Sequence, residues 1–341
     1  MDEVVWGSRI YKEVLECYAE GSVYQLSTVI ASQRRSNLEI ATSLRSSQWQ
    51  VKELFNNLML KYLAPAKINL VLEVLGKRDD GYHEIRSLVQ AISLCDVLSF
   101  ELADRISLEC NEPSLQTSDN LVLQAVDLLK KVSGYQRGAK IRLDKRILWG
   151  AGLGGGSSDA ATTLLALSGL WKLKLTTSDL VELAARLGSD VPFFIYSGTA
   201  LIGGRGEKVV PLGLSVPSWF VLLLPPLPKL PRKTQQLYSL LDTRHFTKGQ
   251  FIGAAMRTWS QDRQIAPSLL FNVFDGVALG AFPGLEDYWK HFEQAGVKNI
   301  HLVGSGSALF APADSEAKAE EICHRLCQQG LEAYAVSTVI H

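Results

Sequence analysis

The sequence predicts an α+β fold in two lobes, on three observations. Strand-like and helix-like segments are mixed without regular βαβ alternation, which argues against a doubly wound parallel sheet. The 341 residues suit about two domains, and 47% hydrophobic with 21% charged residues exclude a disordered chain. A run of glycines then opens directly into a helix rich in Ala and Leu, the pattern of a ligand loop set on a rigid scaffold.

The elements follow in chain order. Residues 1–58 contain helix-like stretches (8–19, 37–43, 48–61) and no strand alternation, so the expectation is a single amphipathic helical arm. Such an arm is either an oligomerisation or regulatory device or a dispensable extension. A first lobe is expected over 59–215, carrying the glycine loop, and a second over 216–341. Ile68 to Leu75 is rich in β-formers and ends at Gly76, before the turn residues Asp79-Asp80-Gly81. Ser87–Leu94, Val97–Leu102 and Ala139–Leu143 read as further strands. Asn120–Val132 has apolar residues at helical spacing, with Ser118 or Asp119 as cap. Helices are expected over Ser158–Leu170 and over Ser178–Leu187, the latter capped by Ser178. Ala200–Ile202 and Phe220–Leu224 read as strands. A proline-rich connection, Pro225 to Pro231, precedes helices and short strands that alternate to the end.

Composition excludes several functions. Thirty-five basic residues balance thirty-five acidic ones, so no global positive field exists to coat nucleic acid. Five cysteines without a CxxC argue against zinc and against a disulfide scaffold, and point to a reducing compartment. The longest apolar run, Trp219 to Leu227, is broken by prolines and is far shorter than the roughly 20 residues that span a bilayer. Asp2 and Glu3 open a terminus without the basic-then-apolar pattern of a signal peptide. The expectation is a soluble, cytoplasmic protein with no nucleic-acid or membrane partner.

Gly150-Ala151-Gly152-Leu153-Gly154-Gly155-Gly156-Ser157-Ser158 is the most informative stretch. Glycines let the backbone approach a ligand, and the helix start that follows offers unpaired N–H groups and a partial positive charge. Together these make a phosphate cradle. Gly150, Gly152 and Gly155 satisfy G-x-G-x-x-G, but no hydrophobic strand leads in and no acidic residue closes a second strand near Leu175. No Gly-Lys-Ser/Thr follows either. The loop therefore fits neither a dinucleotide fold nor a P-loop.

Pro65-Ala66-Lys67-Ile68-Asn69-Leu70, the loop from Gly152 to Ala161, and Val303-Gly304-Ser305-Gly306-Ser307 resemble the three motifs of the GHMP kinase superfamily. Asp80-Gly81-Tyr82-His83-Glu84 and Leu187-Gly188-Ser189-Asp190-Val191-Pro192-Phe193-Phe194 bring the resemblance closer to those members that phosphorylate 4-diphosphocytidyl-2-C-methyl-D-erythritol in the non-mevalonate isoprenoid route. It covers about Leu60 to Ala335. It implies a two-lobed fold with ATP and acceptor in the cleft between lobes, Mg²⁺ as cofactor, and phosphoryl transfer to the acceptor's 2-hydroxyl by a monomer or homodimer.

The resemblance also implies roles. Asp190 would be the base and Lys67 its charged neighbour; alone, these residues would read as a helix cap and a strand-edge charge. The chemistry agrees, because phosphoryl transfer asks for positioning, charge neutralisation and one proton acceptor. Gly150, Gly152, Leu153, Gly154, Gly155, Gly156, Ser157 and Ser158 would hold ATP, with either serine facing phosphate or metal. Asn69 shares a strand face with Lys67 and would fix the acceptor hydroxyl or the lysine. Tyr82 would stack on the cytosine, His83 would bond its edge, and Tyr238, four residues after Thr234, would form the second wall. Arg205 would sit near the diphosphate, and Gly304 and Ser305 at the substrate's phosphate end. Asp159 carries little weight in this reading, and Asn272-Val273-Phe274-Asp275 departs from the usual pattern at a site that looks structural. Another superfamily kinase, acting on mevalonate, homoserine or a sugar, is the alternative. It would have no use for a base clamp.

Overall fold

The computed structural model describes residues 60–339, apart from 214 and 229. The helical arm expected over residues 1–58 lies outside the described residues.

The first sheet begins with two long strands, β1 (Leu60–Lys77) and β2 (His83–Ala103), followed by β3 (Ser107–Cys110). The stretches expected as two strands, 87–94 and 97–102, are parts of the one continuous β2. Helix α1 (Leu121–Ser133) is capped by Asn120, whose side chain accepts from Val122 N at 2.9 Å, so the cap is neither Ser118 nor Asp119. Gly134 ends α1 in the left-handed conformation. Strand β4 (Gly138–Asp144) precedes the glycine loop and α2 (Gly155–Leu170).

Helix α2 starts three residues before the expected Ser158, because Gly154 at φ +74 turns the chain straight into it. It is buried along most of its length, packing on β2 and α1. Helix α3 (Thr177–Leu187) is capped by Thr176, not Ser178. Thr176 and Asp179 form a reciprocal capping box that Ser178, already inside the first turn, cannot make. The short α4 (Val191–Tyr196) and strands β5 (Thr199–Gly204) and β6 (Lys208–Pro211) complete this part.

The second part holds β7 (Trp219–Leu223), α5 (Lys233–Ser239), α6 (Gln250–Asp262), β8 (Phe271–Asn272), α7 (Asp275–Ala281), α8 (Leu285–Gln294), β9 (His301–Leu302), β10 (Leu309–Ala313), α9 (Glu316–Gln328) and β11 (Ala333–Ser337). Its sheet runs β11-β7-β10-β9, antiparallel throughout. The first sheet runs β3-β4-β2-β1-β8, with β5 on the other half of β2 and β6 beyond it. Strand β8 thus comes from the second half of the chain yet pairs in parallel with β1, at Val71↔Phe271 and Leu72↔Asn272.

Period-two alternation on β1 places the site. Ala66, Ile68 and Leu70 are buried in a core with Phe220, Leu222 and Phe310 of the second sheet. Lys67 and Asn69 therefore point to the opposite face, into the cleft. Burial of the even positions is what forces two polar side chains into the interior.

Candidate active site

A cleft of about 1030 Å³ is lined by residues from both parts of the chain, among them Lys67, Asn69, Tyr82, His83, Asp190, Arg205, Lys233, Thr234, Tyr238, Gly304 and Ser305. Its floor is built from two glycine turns. Gly150, Gly152 and Gly154 have φ of +82, +95 and +74, values that L side chains rarely adopt. A Cβ on Gly152 would lie 2.1 Å from the Val303 carbonyl oxygen, and one on Gly304 only 3.0 Å from Lys67 Nζ. The two turns are therefore in contact, joined by Ala308 N donating to Ala151 O at 3.1 Å. Lys67 N donates to Leu153 O at 2.9 Å, which ties β1 to the same loop.

Lys67 heads a buried chain of hydrogen bonds. Its Nζ donates to Asn69 Oδ1 at 2.8 Å, Asn69 Nδ2 to Ser87 Oγ at 2.8 Å, and Ser87 Oγ to Val71 O at 2.7 Å. Asn69 thus orients the lysine. Asp190 lies 4.0 Å from Lys67 Nζ with half of its side chain exposed to the cleft. It occupies the residue before α4 but makes no capping bond, so its carboxylate is left to the cleft. Burial pulls the Lys67 ammonium below its ordinary value, and the Asp190 charge only partly restores it.

Elsewhere in the cleft wall, Tyr238 and His83 are brought together. Their rings stack with centroids 4.7 Å apart at 23°, and Phe274 meets Tyr238 edge-on at 5.0 Å. Burial, and then the Asp190 charge, push the Tyr238 hydroxyl up, while burial and Lys77 lower His83. Tyr82 is half exposed, and Arg205 sits 5.0 Å above its ring. Thr234 Oγ1 and Ser305 Oγ are 3.1 Å apart, linking α5 to the second glycine turn.

The later part of the loop divides. Gly156 is exposed and Ser157 half-buried, whereas Leu153 and Gly155 are buried, Leu153 within the hydrophobic core. The Ser158 hydroxyl is buried without a hydrogen-bond partner.

Three features escaped the sequence reading. Lys233 enters the cleft from α5 and donates to Gly150 O at 2.6 Å and to Gly306 O. Asp159, which the sequence reading set aside, is buried against Lys145 Nζ at 2.8 Å, and Lys145 also pairs with buried Asp96. Asp96 in turn accepts from Arg146 N at 2.6 Å and Ile147 N at 2.8 Å, so the triad holds the entry to the glycine loop. Asn272 donates to Leu302 O at 2.9 Å and Gly304 O at 2.8 Å, while Asp275 pairs with His301 at 2.7 Å. The segment 272–275 therefore carries a buried carboxyl–imidazole contact, and it supports the second turn. No local sequence signal marks these partners, because each lies far away along the chain.

Two glycine turns, a lysine–carboxylate pair and an aromatic wall share one cleft, the arrangement expected of a GHMP-type small-molecule kinase. The models of the GHMP kinases N terminal domain and the GHMP kinases C terminal region match residues 120–198 and 259–331. A 4-diphosphocytidyl-2-C-methyl-D-erythritol kinase of Dehalococcoides mccartyi is 44% identical over 281 residues, 82% of this chain and 99% of that protein. One of Shouchella clausii is 37% identical over 279 residues, covering 81% and 93%. The chain belongs to the family of 4-diphosphocytidyl-2-C-methyl-D-erythritol kinases. A crystal structure of a 4-(cytidine 5'-diphospho)-2C-methyl-D-erythritol kinase superposes with TM-score 0.71 at 34% identity, covering 82% and 98% of the two chains. A homoserine kinase from Cytophaga hutchinsonii, at 18% identity and TM-score 0.63 over 82% and 94%, shares the fold.

Proposed function

We propose that the chain transfers the γ-phosphoryl group of ATP to the 2-hydroxyl of 4-diphosphocytidyl-2-C-methyl-D-erythritol, with Asp190 as base and Lys67 as its cationic partner. The observation that carries the reading is the pairing of a buried, Asn69-oriented ammonium with a carboxylate open to the cleft, beside two glycine turns. The acceptor oxygen forms a bond to the γ-phosphorus, the bond from that phosphorus to the bridging oxygen breaks, and ADP leaves. The hydroxyl proton passes to an Asp190 oxygen. Lys67 stabilises charge on the attacking oxygen. Loop N–H groups and the start of α2 face the phosphates.

Tyr82, His83 and Tyr238 hold the cytosine in this reading. The stacked His83–Tyr238 pair forms one wall, and Arg205 over Tyr82 meets the diphosphate. Among the described residues no cluster of three His, Cys, Asp or Glu could hold a metal. The donors present suit Mg²⁺ carried mainly on nucleotide oxygens, with Ser157 and the unpartnered Ser158 hydroxyl as protein contacts. The ion would supply charge neutralisation at the phosphates. Four described cysteines are free thiols, in keeping with a cytoplasmic location, and among the described residues no helix is long and apolar enough to cross a membrane.

A coupled ADP-release assay with MgATP tests the function, offering the cytidylyl acceptor beside mevalonate and homoserine. Turnover is expected with the cytidylyl acceptor alone. ADP release only with another alcohol would keep the kinase and discard the cytosine pocket.

A further inference from the structure

Lys233 is the first residue of α5, and the backbone takes an uncommon route to deliver it. Arg232, immediately before, has φ +50, a left-handed conformation that L side chains rarely adopt. From there the Lys233 ammonium donates to the Gly150 carbonyl at 2.6 Å and to the Gly306 carbonyl. These carbonyls belong to the two glycine turns that form the cleft floor. An ammonium suits the task, since it has three donors and no acceptor. Neighbouring Thr234 adds its contact to Ser305, so α5 reaches the second turn through two consecutive residues.

The position is electrostatically unfavourable unless something requires it. Burial, and then the nearby Lys67, pull the Lys233 ammonium down to about 8. A second cation beside Lys67 offsets that penalty only through the carbonyls it binds and through an anion entering the cleft.

We propose that Lys233 is a positioning residue for phosphoryl transfer, its ammonium tying the Gly150 turn to the Gly306 turn and so setting the phosphate loop against Lys67 and Asp190. The proposal rests on the kinase reading above and adds a requirement to it. Two loops distant in sequence must be held in register, and Lys233 adds a side-chain tie at Gly150 and Gly306 to the main-chain bond from Ala308 N to Ala151 O.

The test compares the parent chain with K233M and K233R in two measurements. One is steady-state kinetics with MgATP and the cytidylyl acceptor, and the other is calorimetric binding of a non-hydrolysable ATP analogue. K233M is expected to lower kcat and to weaken analogue binding, each by about tenfold or more, the effect of losing charge-assisted bonds that align a reacting group. The acceptor KM should stay within about threefold, because its aromatic wall is untouched. K233R, which can still donate to both carbonyls, should recover most of both losses. A merely packing role would lower thermal stability and leave kcat and analogue binding where they were, and that result overturns the proposal. K233R as impaired as K233M overturns it too. A parent chain that binds the analogue but does not turn over the acceptor breaks the proposed function instead, and the analogue comparison then decides Lys233 alone.

Discussion

Two buried lysines in this molecule have almost the same exposure and opposite electrostatics. The Lys67 side chain is 7% exposed and that of Lys145 6%. Lys67 has a neutral amide at 2.8 Å and one half-exposed carboxylate at 4.0 Å, so burial wins and its ammonium is destabilised. Lys145 is likewise penalised by burial, but Asp159 and Asp96 together outweigh the penalty and raise it. Burial alone therefore does not say what a lysine is for. An under-neutralised cation facing a cleft invites an anionic ligand, whereas one surrounded by carboxylates holds those carboxylates in place.

The comparison breaks most sharply at Lys145. K145M leaves two buried carboxylates without their cation and should lower unfolding stability by about 3–5 kcal/mol, read from urea denaturation. K67M removes a charge that burial already disfavours. It should change stability by less than about 1 kcal/mol while lowering kcat about 10²-fold, the scale of a lost electrostatic stabiliser. Equal stability losses in the two variants would erase the distinction. Asp190→Asn should lower kcat by at least about 10²-fold and leave ATP-analogue affinity nearly unchanged. Normal turnover in that variant would remove Asp190 as the base.

Smaller effects sharpen the picture. Tyr82→Ala should raise the acceptor KM by about 1–3 kcal/mol equivalent, with little change for ATP, if its ring carries base stacking. Equal shifts for both substrates would mean that Tyr82 serves Arg205 only. A pH-dependent effect concerns Asp159. Burial pushes its carboxyl up, Lys145 opposes this and Asp96 adds to it. A carboxyl raised in the folded state binds its proton more tightly there than when unfolded. It therefore subtracts stability as pH rises from its ordinary 3.8 toward the native value. D159N should abolish that decline while keeping the Asp96–Lys145 pair. Urea midpoints at about pH 4 and pH 8 compare the two chains, and only the parent chain is expected to lose stability between them through this group.

Legibility followed the range of the interactions. The loop from Gly150 to Ser158 was readable because glycine content and a following helix are local properties. The alternation that turns Lys67 and Asn69 to one face was readable for the same reason. Helix caps were misplaced by one or two residues at Asn120 and Thr176, where several polar residues compete and only backbone geometry selects one. The stacking of His83 on Tyr238 joins segments that no spacing rule connects. Asp159 looked unimportant because its partners, Asp96 and Lys145, arrive from other strands and their ends.

By itself the amino-acid sequence determined the two-lobed α+β class and the glycine-rich loop that opens into a helix, since each depends on residue type and near-neighbour pattern, whereas Lys67 and Asp190 stood out only through the family resemblance. Tertiary structure alone decided that β8 joins the first sheet, that Lys233 bridges two glycine turns, and which buried lysine is neutralised. Those outcomes depend on distances between groups far apart in the chain. Electrostatic and hydrogen-bond energies follow such distances, and sequence does not contain them before the chain has folded.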